Sequence, residues 1–265
     1  VDNKTIPNLY KEVFSYSLPL TGAFIAGFFC NSADQFFVSR YYGTQAFAEF
    51  SSGCFSIPIV GMVAASVKNV LLPLFSKADA ERNMSSAVLS YNNAVKKTAT
   101  IIMPMLFFCL FFAGDVMVVL FGGQYSVSQG YLRLYIIRDF LQIFPYFSVL
   151  MALGYSRLYM NMHVVGALAI WTGDFLLVRF FVPPPSIVFV SSLFHLSCSI
   201  TAFIFIFKKT HISLVPGQVL RYVGKLTLHC CTVLGMLLIL RHTLMSQMNV
   251  FLFIVISGCF FYLLL

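Results

Sequence analysis

The sequence predicts an all-α, polytopic transmembrane helical bundle of about eight spanning helices, a six-helix bundle with a two-helix appendage. Three observations predict it. Of the 265 residues, 59% are hydrophobic and only 10% are charged, against roughly 25% charged in an ordinary soluble domain. The apolar residues fall in runs, each about as long as the ~20 residues of helix that cross a hydrocarbon core. Charge, Pro and Gly punctuate those runs, leaving short connections and no polar stretch long enough for a soluble catalytic core.

The spans are placed near 14–38, 46–73, 98–121, 131–153, 159–182, 187–207, 219–240 and 248–265. The segment before Val13 is polar and carries Lys4, Lys11 and Glu12, so the first run is not the apolar core of a cleavable signal peptide. The second run contains Pro58 and ends on VLLP at Pro73. The stretch from Ser76 to Lys97, with Lys77, Asp79, Glu81, Arg82, Lys96 and Lys97, reads as a solvated loop or surface helix. The third run carries Pro104 and gives way to the uncharged GGQYSVSQG at 122–130; the fourth holds Arg133, Arg138, Asp139 and Pro145. PPPS at 183–186 separates the fifth from the sixth. A basic connector from Lys208 to Gly217 divides a bundle over 1–207 from an appended hairpin over 208–265. The chain opens on Val1 and closes at Leu265 inside an apolar run, which reads as a fragment of a longer membrane protein.

Lys and Arg number 17 and Asp and Glu 9, a formal net charge of +8. Alternating the spans puts Lys4, Lys11, the 76–97 stretch, Arg157, Lys208, Lys209, Arg221 and Lys225 on one side, and only Arg40 and Arg241 with the uncharged loops on the other. Cytoplasmic loops collect Lys and Arg, so both ends of the chain are expected in the cytoplasm. There is no basic stripe on a soluble face, so nucleic acid is excluded as a partner. The seven Cys sit in or beside apolar runs with no CxxC or His-paired spacing. They read as buried thiols, and neither a metal, a disulfide frame nor a cofactor is implied.

An ionisable side chain costs about 2.5–3.5 kcal/mol at mid-membrane, so each one inside a span is a candidate for function. Those candidates are Asp34, Lys68, Asp115, Arg138, Asp139 and Asp174, with Arg133, Arg157 and Arg179 nearer the interfaces. At ~1.5 Å of rise per residue, Asp115, Arg138, Asp139 and Asp174 lie on the order of 10 Å from the outer ends of their spans. Charges at similar depth on three successive helices either line a shared aqueous cavity, where Arg138 offers a planar fork to an anion, or pair with one another. Lys68 has a long stem that can also snorkel to the headgroups. His195, near Ser191 and Ser199, reads as a hydrogen-bonded packing residue rather than a proton relay. Pro19, Pro58, Pro73, Pro104 and Pro145 mark points where a spanning helix can bend. No GxSxG, HExxH, Walker-type loop or acidic pair at a loop mouth is present, so no catalytic residue is assigned and transport is expected rather than enzymatic chemistry.

The first two spans read LPLTGAFIAGFFCNSADQFFVSRYYGTQAFAEFSSGCFSIPIVGMVAASVKNVLLPLFSK, and VVLFGGQYSVS, LGYSRLYM and the helix bearing Asp174 continue the pattern. Over about residues 12–182 this resembles the Wzx-like polysaccharide and O-antigen flippases of the multidrug/oligosaccharidyl-lipid/polysaccharide exporter superfamily. Gln35 stands where such proteins often carry a basic residue after the Asp, so only Asp34 carries over. The resemblance implies two six-helix bundles, often with two added helices, and eight spans as six plus two suit the C-terminal bundle and its tail. It implies transport of undecaprenyl-pyrophosphate-linked O-antigen or capsule units across a bacterial cytoplasmic membrane by alternating access. Partners would be the lipid-linked oligosaccharide, membrane lipids, and polysaccharide polymerase and chain-length proteins. Arg138, with Lys68 and Arg133, would then receive the anionic headgroup, while Asp34, Asp139 and Asp174 would couple an ion or pair with the bases. The alternatives are a multidrug or cation antiporter of the same superfamily, which favours an acidic cavity, and an integral-membrane enzyme of polysaccharide biosynthesis, which favours a sizeable charged outer loop.

Overall fold

A computed structural model describes residues 6–180, 183–210, 213–244 and 256–258, and among these there is no strand. The helices are α1 (Ile6–Tyr41), α2 (Gly43–Gly53), α3 (Pro58–Ala80), α4 (Ser85–Phe111), α5 (Ala113–Phe121), α6 (Gln129–Leu141), α7 (Tyr146–Ala152), α8 (Ser156–Arg179), α9 (Pro185–Thr210) and α10 (Gly217–Leu244), with a 3-10 turn at Gly123–Ser128 between α5 and α6. Among the described residues, seven helical stretches are long and apolar enough to cross a membrane. The protein is the all-α polytopic bundle that the apolar runs predict. The span expected near 248–265 lies outside the described residues apart from 256–258.

The second and third of the expected spans, and the stretch between them, are built differently. The run at 46–73 is two helices, because Pro58 starts α3 and holds Ile57 extended, at ψ 114°. The run at 98–121 is also divided, at Phe112, where the backbone leaves the helix between α4 and α5. The largest difference is at 76–97, where α3 continues to Ala80 and α4 starts at Ser85. Ala87, Tyr91, Val95 and Ala99 are all fully buried. Their four-residue spacing makes them one face of a helix, and the Tyr91 ring meets that of Phe75 edge-on at 6.2 Å. The tight turn at 81–84, where Arg82 takes a φ of 52°, and the exposed helix faces carrying Lys77, Asp79 and Lys97 fit the reading of a solvated loop or surface helix, whereas the buried stripe does not.

Lipid tails are as apolar as leucine, so the helices are held by close packing and internal hydrogen bonds rather than by escape from water. Large side chains such as Phe28, Leu168 and Phe180 stand exposed on the outside of the bundle. Hydroxyls within the spans turn back on their own helices: Ser66 donates to the Met62 carbonyl at 2.9 Å and Ser192 to that of Val188 at 2.7 Å. Glycines allow the closest approaches. Gly22 and Gly27 of α1 face Met160 and His163 of α8, and Gly166 of α8 lies under the Phe194 ring of α9. α1 and α8 run side by side in the same direction, which brings Lys11 and Arg157 to one end of the bundle. α10 packs on α4, with Cys230, Val233, Leu234 and Leu237 against Phe108 and Phe112.

Gly53 ends α2 where it presses on the turn before α6. A Cβ there would lie 2.6 Å from the Ser128 carbonyl oxygen, whereas one at Gly61 would meet nothing within 4 Å. A backbone carbonyl cannot rotate aside, so Gly53→Ala is expected to cost about 1–3 kcal/mol by overpacking. Gly61→Ala should be neutral or stabilising. Thermal unfolding of the two detergent-solubilised variants, followed by size-exclusion chromatography, checks the contrast; equal melting temperatures would refute it.

Candidate substrate cavity

The fourth span is not a continuous helix. Pro145 has no N–H to donate and its ring excludes the helical carbonyl one turn back, so α6 stops at Leu141 and α7 starts at Tyr146. Across the break the chain tightens, with the Gln142 and Ile143 amides donating to the Asp139 and Phe140 carbonyls. The break opens a cavity of about 550 Å³ beside the last turn of α6, among α1, α3, α6, α7, α8 and α9.

Arg138 projects into this cavity from α6. Its Nη2 donates to Asn31 Oδ1 of α1 at 3.0 Å and lies 3.2 Å from His195 Nε2 of α9, and its Cζ sits 4.8 Å from the Tyr135 ring centre. A guanidinium only donates, so Nε2 of His195 accepts and the ring proton is on Nδ1. That proton is donated to the Ser191 carbonyl at 2.8 Å. Lys68 of α3 lines the same cavity, as does Asp139, whose Oδ1 accepts from Gln142 Nε2 at 2.7 Å. The other Asp139 oxygen is buried and has no hydrogen-bond partner among the described residues. Neither Arg138 nor Lys68 makes an ion pair among the described residues, where the pair recorded is Lys77 with Glu81 at the surface. The cavity therefore holds two cations and one carboxyl, with no cation neutralised by direct contact.

Two of the six residues singled out beforehand form a separate cluster. Asp34 of α1 accepts a 2.7 Å hydrogen bond from the Ser191 hydroxyl. Asp174 of α8 is fully enclosed, and its electrostatic partner is the Asp34 carboxyl. Among the described residues no cation contacts either one. Ser191 is common to both clusters: its hydroxyl binds Asp34 and its carbonyl orients His195. Arg133 is on neither. It follows Arg138 back by five residues, about 140° round the helix, and it is exposed with Nε on the Leu110 carbonyl at 3.3 Å. Asp115 opens α5, and Arg179 lines a separate recess with Tyr41, Tyr42 and Phe175.

Asn31, Gln142 and Tyr135 belong to the cavity and were not foreseen. For Asn31 a signal existed, because it stands one turn before Asp34 and directly after the apolar stretch 22–30. His195 is hydrogen-bonded as the sequence suggests, but its second nitrogen serves the cavity.

Two carboxyls enclosed together without a cation favour a neutral member. Asp174→Asn keeps the shape and supplies a donor to Asp34, so it is expected to leave stability unchanged or raise it by about 1–3 kcal/mol. Asp174→Leu leaves Asp34 without its neighbour and gains nothing of the kind. Melting temperatures of the two purified variants test this; a large loss in Asp174→Asn would show that Asp174 is ionised and paired.

Residues 6–129, a little under half of the chain, match a family model described as polysaccharide biosynthesis protein. No curated protein and no solved structure matches the chain significantly.

Proposed function

With residues 6–129 falling in the polysaccharide biosynthesis protein family, we propose that this membrane protein is a flippase: it moves lipid-linked oligosaccharide across a bacterial cytoplasmic membrane by alternating access. One observation carries the reading. Arg138 and Lys68, drawn from different spanning helices, face one cavity without a carboxylate in contact with either. A cation held by neutral acceptors keeps its charge available to an incoming anion, and the pyrophosphate of a polyisoprenyl-linked sugar is such an anion. A guanidinium grips phosphate oxygens in a bidentate fork, while Lys68 adds a mobile point charge. Asn31, Gln142 and the Tyr135 and Tyr159 rings lie within reach of the attached sugar.

Asp34 and Asp174 are assigned to coupling. Two carboxyls in contact in a dry site hold a proton or a small cation between them, since like charges so close resist joint ionisation. Asp139, which lines the cavity without an ion pair to either cation, is assigned to balancing their charge at a distance. The distribution of Lys and Arg supports a cytoplasmic location for both ends of the chain, with the span expected near 248–265 making the number of crossings even. A cation antiporter would need an acidic cavity, and here bases outnumber acids. No catalytic role is assigned.

In the full-length protein, Arg138→Ala should lower surface polysaccharide at matched protein level by about ten- to a hundredfold, the worth of a charged hydrogen bond of about 1.5–3 kcal/mol. Arg138→Lys should retain part of the activity and Arg133→Ala nearly all of it. Unchanged export by Arg138→Ala would remove the proposal; translocation of a lipid-linked oligosaccharide in proteoliposomes is the direct measurement.

A further inference from the structure

The seam between α1 and α8 carries a different set of features, on another face of α1 from the Arg138 cavity. At one end, Lys11, Ser15 and Ser17 of α1 and Ser156 and Arg157 of α8 open onto a space of about 1070 Å³. Next along the seam, and sharing Ser15 and Arg157, is a recess of about 260 Å³ walled by Phe14, Leu18, Pro19 and Met160. Beyond it, Gly22, Ile25 and Phe29 of α1 face Val164, Leu168 and Trp171 of α8 across a groove of about 490 Å³. At 100° per residue, positions 22, 25 and 29 lie about 100–180° round α1 from the cavity positions 24 and 31.

The two ends of the seam differ in chemistry. At the first, Lys11 and Arg157 make no ion pair among the described residues. Ser156 is only 3% exposed, lines the space, and its hydroxyl has no partner among the described residues. It stands at the start of α8, where the first-turn amides have no acceptor of their own and favour an anion. At the second end the walls are apolar, and the one polar group, the Trp171 indole N–H, is already used on the Phe29 carbonyl at 3.1 Å. From Leu18 to Phe29 the apolar stretch is about 17 Å long, close to the ~15 Å of one leaflet of a ~30 Å hydrocarbon core. A free anion has no use for the groove and a plain hydrocarbon none for the cations. An amphiphile uses both.

We propose that the α1–α8 seam is a binding site for an anionic phospholipid of the bilayer. The phosphate is held by Lys11, Arg157, Ser156 and the first turn of α8, and the chain lies in the groove as far as Trp171. The site does not depend on the flippase reading. A groove one leaflet long matches the acyl chain of a phospholipid, and a polyisoprenyl phosphate, whose chain is far longer, is the alternative that the experiment separates from it.

Trp171 is the sequence's one tryptophan, so the groove contains its own reporter. The purified protein is reconstituted in phosphatidylcholine vesicles with increasing fractions of chain-brominated phosphatidylglycerol or chain-brominated phosphatidylcholine, and quenching of Trp171 is recorded. Brominated phosphatidylglycerol should reach half-maximal quenching at about thirtyfold lower fraction, the selectivity of roughly 1 kcal/mol for each of the two basic residues near a membrane surface. Lys11→Gln with Arg157→Gln should abolish the difference. Ala167→Phe, which fills the groove and leaves the cations in place, should weaken quenching by both lipids. Arg138→Gln should change nothing, which separates this site from the cavity whatever becomes of export. Unbrominated phosphatidylglycerol and a polyisoprenyl phosphate then compete in separate arms; relief of quenching by phosphatidylglycerol at the lower fraction is expected, and relief by the polyisoprenyl phosphate at the lower fraction would overturn the assignment. Equal quenching by the two brominated lipids in the unaltered protein, or selectivity that survives loss of both cations, would overturn the proposal.

Discussion

A guanidinium cannot shed its charge, so one placed inside a bilayer must be met by acceptors from the protein. Arg138 is met by the amide oxygen of Asn31 and the ring nitrogen of His195. Both acceptors are neutral, and that single fact shapes the site. A carboxylate in contact would have quenched the charge and bound it tightly enough that an anionic ligand had first to displace it; breaking a desolvated ion pair is costly because one charge is left unmatched. Neutral acceptors satisfy the N–H groups while leaving the field of the cation directed into the cavity. The helix break before Pro145 provides the room, and its backbone remains satisfied by tighter hydrogen bonds and by lining a cavity rather than facing lipid.

The fold was legible because bilayer crossing imposes a length on apolar runs, and that constraint is strong enough to survive every local irregularity. What it does not impose is continuity. Pro58 and Pro145 both appeared as possible bends, yet whether a proline kinks a helix or ends it depends on the groups packed around it, and those come from distant sequence. The 76–97 stretch, read as a solvated loop or surface helix, is an exposed turn between the ends of two long helices, one of which also has a buried stripe. Six charged residues outweigh an apolar stripe in composition, while the positions 87, 91, 95 and 99 fall on one face and the charges on others.

For the cavity, type and depth of charge singled out Arg138 and Asp139, and charge within a span singled out Lys68, because these follow from sequence position alone; all three line it. Azimuth did not. Arg133 looked equivalent to Arg138 on the same helix, but five residues of spacing turn it out of the cavity. The contact of Asp34 with Asp174 links residues 140 positions apart, and the roles of Asn31 and His195 depend on three helices meeting at one point. A lone histidine in an apolar helix does usually serve packing. Here one nitrogen does so, and the other is left to face whatever the neighbouring helix presents.

The two clusters are joined through Ser191. Its hydroxyl donates to Asp34, its carbonyl receives the His195 Nδ1 proton, and the Nε2 lone pair of that ring holds Arg138. Donor and acceptor roles from Arg138 through His195 to the Ser191 carbonyl are fixed, since Arg138 can only give, while the Ser191 hydroxyl is shared between Asp34 and the Val188 carbonyl. A change in the charge shared by Asp34 and Asp174 alters the pull on the Ser191 hydroxyl, and a shift of α9 that follows it carries His195 and therefore one of the two holds on Arg138. Coupling between an ion site and a substrate site needs an element whose position both sites bias. In the proposed flippase, α9 is that element, because it carries the residue bound to the carboxyls and the residue bound to the guanidinium on consecutive turns.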